Sequence, residues 1–170
     1  VVHNGIIENA SSLREQLAAR GHEFASDTDT ELLAHLIANR PEAALADRVR
    51  GALRAVQGTY GVAVLDERDP DCIVVARNGS PVVLGIGERE MYVASDVAAL
   101  VRHTRQVVHL DDGELAVVHA GGFETSTLDA TPTIKEPAEI DWEIGAYERG
   151  HFEHFMLKEG FNRSQALKHI

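Results

Sequence analysis

Residues 59–65 read Thr-Tyr-Gly-Val-Ala-Val-Leu. Tyr60, Val62 and Val64 fall on one face of a strand, and Gly61, Ala63 and Leu65 on the other. A strand alternates its side chains, so both faces here are apolar and both must be covered. One face is lined by small residues, which predicts a helix packed close against it. A doubly covered strand in a chain of 170 residues points to a layered domain and not to a single solvated sheet.

The texture on either side of this run differs. Before Gly58 the periodicity is helical. A helix is predicted over 10–20, with Leu13 and Leu17 on one face and Gly21 as its C-terminal cap. A second is predicted after Ser26-Asp27-Thr28-Asp29-Thr30-Glu31, where Thr28 and Glu31 have capping-box spacing. Its buried stripe is Leu32, Leu33, Leu36 and Ile37. A third is predicted from Pro41, with Leu45, Val49, Leu53 and Val56 inward and Arg48, Arg50 and Arg54 mostly solvated. After the run, short strands follow: 72–76, 82–86, 91–93, 106–110, 114–118 and 122–127, with a short helix over 96–101. Strands this short, joined by tight turns, pair mostly antiparallel, because parallel pairs need long crossovers. Helices first and strands after give an α+β domain, with two packed sheets and helices outside. The stretch 131–139, with Pro132 and Pro137, reads as an extended linker. A mixed helical tail is predicted over 150–170, with Phe152, Phe155 and Met156 as its apolar contacts.

Composition narrows the function. The chain has 27 acidic and 16 basic residues, a formal net charge of −11. Nucleic acid and anionic membrane need a basic face, so neither is an expected partner. The single cysteine excludes an internal disulfide and a multi-cysteine metal site. No apolar run reaches membrane-spanning length and no cationic, apolar leader opens the chain, which predicts a cytoplasmic protein. The first residue is Val1, within an apolar run, and the last is Ile170, within a mixed pattern, so both ends read as cut.

Six features have residue types or spacing that chemistry uses. Cys72 lies in an apolar strand run and reads as a buried, inert thiol. His151 and His154 flank Glu153 at helical spacing, but no third ligand is near, and no metal site is expected. His35 is a helix-face histidine. Gly85-Ile86-Gly87 lacks the third glycine and the helix of a dinucleotide fingerprint, so it is a turn. Val1 and Val2 end a strand that runs into a turn at Asn4-Gly5. An Asn side-chain N–H and an adjacent backbone N–H can also converge on a developing oxyanion, although for the dipeptide alone an ordinary turn is the commoner explanation. Asp29 sits in the first turn of the second helix. There it either favours the helix dipole or accepts a ligand ammonium group.

Taken together, several segments resemble the class II glutamine amidotransferases, which are N-terminal-nucleophile hydrolases. The segments are Val-Val-His-Asn-Gly-Ile-Ile-Glu-Asn at 1–9, Ser-Asp-Thr-Asp-Thr-Glu at 26–31, Gly58-Thr59-Tyr60-Gly61, Arg77-Asn78-Gly79-Ser80-Pro81 and Ala94-Ser95-Asp96. The likeness runs from residue 1 to about 159. Within the class it is nearest to the branch that aminates fructose-6-phosphate. The Asn-Gly-Ser-Pro run argues against the amidophosphoribosyltransferase branch, and His154-Phe155-Met156-Leu157-Lys158-Glu159 resembles the join to a sugar-isomerase half.

The resemblance implies a four-layer αββα sandwich, here incomplete at its N-terminus. Residues 1–149 would be the later part of the glutaminase domain and 150–170 a helical linker toward the isomerase. It implies that Asn4 and Gly5 form the oxyanion hole and that Asp29 holds the α-amino group of glutamine. It further implies no cofactor, fructose-6-phosphate as acceptor through the isomerase half, and a homodimer for the full-length enzyme. The family's nucleophile is an N-terminal cysteine activated by its own α-amino group. Residue 1 here is valine, and the arginine of the family's upstream His-Thr-Arg-Trp type segment matches no residue. At 160–164 the run Gly-Phe-Asn-Arg-Ser also departs from the family's pattern. The 170 residues by themselves are therefore expected to be inactive. The rival readings are another class II amidotransferase, of amidophosphoribosyltransferase or asparagine-synthetase type, and a non-catalytic relative that binds a glutamine-like ligand.

Overall fold

In the computed structural model, β1 (Val2–Ile7) lies antiparallel to β2 (Gly58–Asp66), with Asn4 opposite Gly61 and Gly5 opposite Tyr60. The predicted turn at Asn4-Gly5 is thus corrected: the chain stays extended through the dipeptide. Gly5 uses positive φ (+135°) for close strand approach, since a Cβ there would lie 2.1 Å from the Thr59 carbonyl oxygen. The structure describes residues 1–140. The tail and linker predicted over 150–170, with His151 and His154, fall outside the described residues.

Three helices follow β1: α1 (Ala10–Ala18), α2 (Asp29–Ala38) and α3 (Leu45–Leu53). After β2 come β3 (Asp69–Asn78), β4 (Val83–Ile86), β5 (Met91–Ala94), β6 (Gln106–His109), β7 (Glu114–His119), β8 (Gly122–Thr127) and β9 (Pro132–Thr133). The last described strand is β10 (Ala138–Glu139). One sheet has the order β1-β2-β3-β7-β8-β9 and the other β10-β6-β4-β5. Every named pairing is antiparallel, as the short connections require. The stretch expected as an extended linker is in part extended, but its two short strands stitch it to both sheets. Pro132 lies in the edge strand β9, where the proline's missing N–H is tolerated, and Ala138 pairs with Val107.

The helices cover one face of the larger sheet. Leu13, Leu17, Leu32, Leu33, Val49 and Leu53 pack on Tyr60, Val62, Val64 and Val74 in one cluster. The opposite face meets the smaller sheet, where Val75, Ala116 and Val118 contact Leu84 and Val108. Both faces of β2 are therefore covered, but the occupants are exchanged relative to expectation. The small face meets the second sheet: a Cβ on Gly61 would lie 3.1 Å from both the Pro81 carbonyl oxygen and Val82 Cγ2. Small side chains let two sheets approach, and the larger Tyr60, Val62 and Val64 reach into the helix layer. At the end of β2 the register shifts between Val64 and Asp66, and Leu65 is left 60% exposed. The far face of the smaller sheet is covered by Leu100, beside the 3-10 turn Val97–Ala99, and by Ile140. That turn is shorter than the helix predicted over 96–101.

Two helix predictions also change. Pro41 precedes α3 and does not start it; Ala44 is the N-cap, and the helix begins where Leu45 first reaches the core. Arg48 is not solvated but buried, with Nη2 2.5 Å from Asp66 Oδ2. Arg50 is tied to Asp47 and to Ser126, which leaves Arg54 as the exposed member of the three. Among the described residues no helix is long and apolar enough to cross a membrane.

Candidate functional site

The site builds from the N-terminus of α2. Thr28 is in extended conformation, and its side-chain oxygen accepts the Glu31 N–H, so the predicted cap is present. Glu31 does not return to Thr28, however. Its carboxylate reaches further back and accepts from the Ala25 N–H (2.7 Å), the Ser26 N–H (2.6 Å) and the Ser26 hydroxyl (2.6 Å). The Ser26 hydroxyl and the two backbone donors hold the Glu31 carboxyl down at about 2. The clamp is thus fully charged at neutral pH.

Asp29 is the first residue of α2, and its Oδ2 accepts the Ile7 N–H at 3.0 Å. Ile7 ends β1, the edge strand of the larger sheet, two residues beyond Gly5. Two strand residues span roughly 6–7 Å. The structure therefore brings the three sequence-predicted site residues to one sheet edge, although 22 residues separate Ile7 from Asp29. Asp29 Oδ1 has no hydrogen-bond partner among the described residues, and the exposed Asn4 side chain has none either. The arrangement offers an acceptor for a cationic group and, three strand residues away, an exposed amide donor on what is an edge strand among the described residues. Glycine at residue 5 keeps a side chain off the Thr59 backbone at that point, while Thr59 Oγ1 accepts the Ile6 N–H.

Sequence reasoning missed the residues that hold the 24–28 loop. Arg14 donates to the Ser26 and Thr28 carbonyl oxygens at 2.8 and 3.2 Å. Its guanidinium lies 4.3 Å from the Phe24 ring centroid. His35, expected as a helix-face residue, packs edge-on against Phe24 and shares a 3.1 Å Nδ1–Nδ1 hydrogen bond with His22. An arginine in the middle of an amphipathic helix carries no local signal of a partner 12 residues away.

The one cysteine has no part in this edge. Cys72 is buried at 4% exposure, and burial, then the neighbouring Asp69 side chain, push the thiol up to about 11; the thiol itself donates to the Asp69 backbone carbonyl. Among the described residues no group of three or more His, Cys, Asp or Glu side chains is placed to hold a metal ion.

Comparison with known proteins agrees with this architecture. The family profile described as glutamine amidotransferase domain matches residues 1–102. An isomerizing glutamine–fructose-6-phosphate aminotransferase of Chlorobaculum tepidum is 45% identical over 174 residues, covering 100% of this chain and 28% of that protein. The protein of the same name in Thermotoga maritima is 45% identical over 167 residues, covering 98% of this chain and 28% of its own length. The chain thus spans about 28% of the length of the curated relatives it matches. Among solved structures, glutamine phosphoribosylpyrophosphate amidotransferase from B. subtilis superposes with a TM-score of 0.65 at 28% identity, over 75% of this chain and 28% of that one. The α+β sandwich expected from the resemblance is the one found, and with the family profile covering well over half its residues, the chain belongs to the glutamine amidotransferase domain family.

Proposed function

We propose that this chain is the glutamine-binding part of a glutaminase site that delivers ammonia to fructose-6-phosphate in a longer, homodimeric enzyme. Asp29 Oδ1 accepts the α-ammonium of glutamine. The side chain of glutamine then extends along the β1 edge toward Asn4 and Gly5. A thiolate attacks the side-chain amide carbon, and the tetrahedral oxyanion is stabilised by the Asn4 side-chain N–H and the Gly5 backbone N–H. The proton given up by the thiol passes to the amide nitrogen, which leaves as ammonia; a γ-glutamyl thioester remains, and water cleaves it to glutamate and the free thiol. The thiol is supplied by residues other than Cys72, whose burial keeps it protonated.

The observation that carries this reading is the Asp29–Ile7 hydrogen bond, which places the carboxylate within two strand residues of the Asn-Gly pair. The acceptor is proposed from the relatives at 45% identity. The structural likeness to the phosphoribosylpyrophosphate enzyme, at 28% identity, supports that sugar as the second acceptor to assay.

The test is steady-state glutaminase kinetics in the full-length protein. Asp29→Asn removes one charge-assisted bond of about 1.5–3 kcal/mol, so KM for glutamine should rise roughly 10- to 150-fold. Asn4→Ala should instead lower kcat by about 10²–10³. An unchanged KM in Asp29→Asn, with only a lower Tm, would reduce Asp29 to a helix-dipole residue and remove the proposed ammonium site.

A further inference from the structure

The geometry points to Arg14 and Glu31 as positioning residues for glutamine binding, which act through Asp29 by clamping the 24–28 loop from opposite sides. The inference rests on the function proposed above. Residues 25–28 are all exposed, so beyond Phe24, which packs against the core, burial does not fix the loop. Its order comes from polar contacts. Arg14 takes the carbonyl side, at Ser26 and Thr28, and Glu31 takes the amide side, at Ala25 and Ser26. The Ser26 hydroxyl links the two, bonded to Glu31 at 2.6 Å and to the Thr28 hydroxyl at 2.9 Å. Two carbonyls and two amides of this short segment are thereby satisfied from outside it.

The segment leads directly into Asp29, whose Oδ2 reaches the Ile7 N–H. A loop free to move would carry the α2 N-terminus, and Asp29 with it, away from the strand edge. Displacements near 1 Å are enough to degrade a charge-assisted contact. Arg14 and Asp29 line the same open groove, yet no ion pair joins them among the described residues. Arg14 spends its charge on carbonyl oxygens and on the Phe24 ring. It therefore steadies the loop without neutralising the carboxylate that an ammonium group needs. An ordinary helix cap explains the Thr28 contact with Glu31, but not a glutamate that bypasses its own cap residue, nor an arginine from a different helix.

The experiment is a double-mutant cycle read in glutaminase KM and kcat of the full-length protein. Arg14→Gln and Glu31→Gln should each raise KM for glutamine about tenfold, with kcat within twofold of the parent. In the Asp29→Asn background neither should raise KM further, because both act through Asp29. Arg14→Lys keeps the charge but cannot reach two carbonyls and stack on Phe24 together, so it should recover less than half of the loss. Should Glu31→Gln fail to fold, Arg14→Gln and Arg14→Lys carry the cycle alone. A lowered Tm with unchanged KM would overturn the inference, as would KM effects that multiply with Asp29→Asn. If Asp29→Asn raises KM and Arg14→Gln does not, the positioning role fails while the proposed function stands. If Asp29→Asn itself leaves KM unchanged, both fail.

Discussion

Replacing Gly5 by alanine tests whether the Asn4-Gly5 dipeptide is held by the strand ladder or merely sits in a permissive bend. The added Cβ would meet the Thr59 carbonyl oxygen at 2.1 Å, its carbon at 2.7 Å and the Tyr60 Cα at 3.0 Å. All three are backbone atoms, so no side chain can rotate away. An ordinary carbon–oxygen contact is about 3.3 Å, which requires β1 and β2 to part by about 1 Å beside Gly5. That separation breaks about two ladder bonds, each worth roughly 1 kcal/mol. The φ of +135° adds about 1–3 kcal/mol for a residue with a side chain. The expected loss is about 3–5 kcal/mol, a large part of a typical domain's stability. In a domain of this size it should lower Tm by on the order of 10 °C. Gly21→Ala is the matched control: its φ is +89°, but nothing lies within 4 Å of the new Cβ. That change should cost only about 1–2 kcal/mol. The assay is urea unfolding of both variants, followed by far-ultraviolet circular dichroism. Equal losses for the two variants would refute the steric argument and with it the close β1–β2 approach at residue 5.

Two further outcomes follow from the buried groups. With its thiol pushed up to about 11, Cys72 should react with iodoacetamide at pH 8 at least ~100-fold more slowly than free cysteine until the chain is unfolded; the 170-residue polypeptide should likewise release no ammonia from glutamine, and either reaction at an ordinary rate contradicts the buried placement. The second concerns Asp66, whose carboxyl is held well below the usual carboxylate range by Arg68 first and also by Arg48. A depressed folded value stabilises above the unfolded value near 4 and is lost as pH falls below it. Arg48→Met should therefore cost about 1–3 kcal/mol at pH 7, and the gap from the parent should narrow in denaturation curves taken below pH 4.

Much of the fold was legible because its signals are local. The alternation of residues 59–65, the Leu13–Leu17 spacing, the Thr28 cap and the turn-bounded strands each depend on neighbours within a few residues, where helix and strand periods act. The element order and the antiparallel pairing then followed from short connections. Of the site, Asn4, Gly5 and Asp29 were legible as residues, but their meeting at one edge was not. Arg14 and Glu31 show the limit most clearly. Arg14 lies on a helix where any solvated charge could sit, Glu31 reads only as a capping-box residue, and the path of the intervening loop alone makes them partners.

By itself, the sequence determined the helix-then-strand order, the doubly covered β2 and the membership of a family whose motifs it carries. Only the tertiary structure decided that Asn4-Gly5 is strand and not turn, because strand β2, more than fifty residues on, supplies the partner. Tertiary contacts alone also decided that the small face of β2 meets a sheet, that Arg48 is buried on Asp66, and that Asp29 reaches Ile7. Each of these depends on groups far apart in the chain. Backbone hydrogen bonds and desolvated charges are satisfied by whichever partner the fold brings near, and that partner has no fixed offset in the sequence.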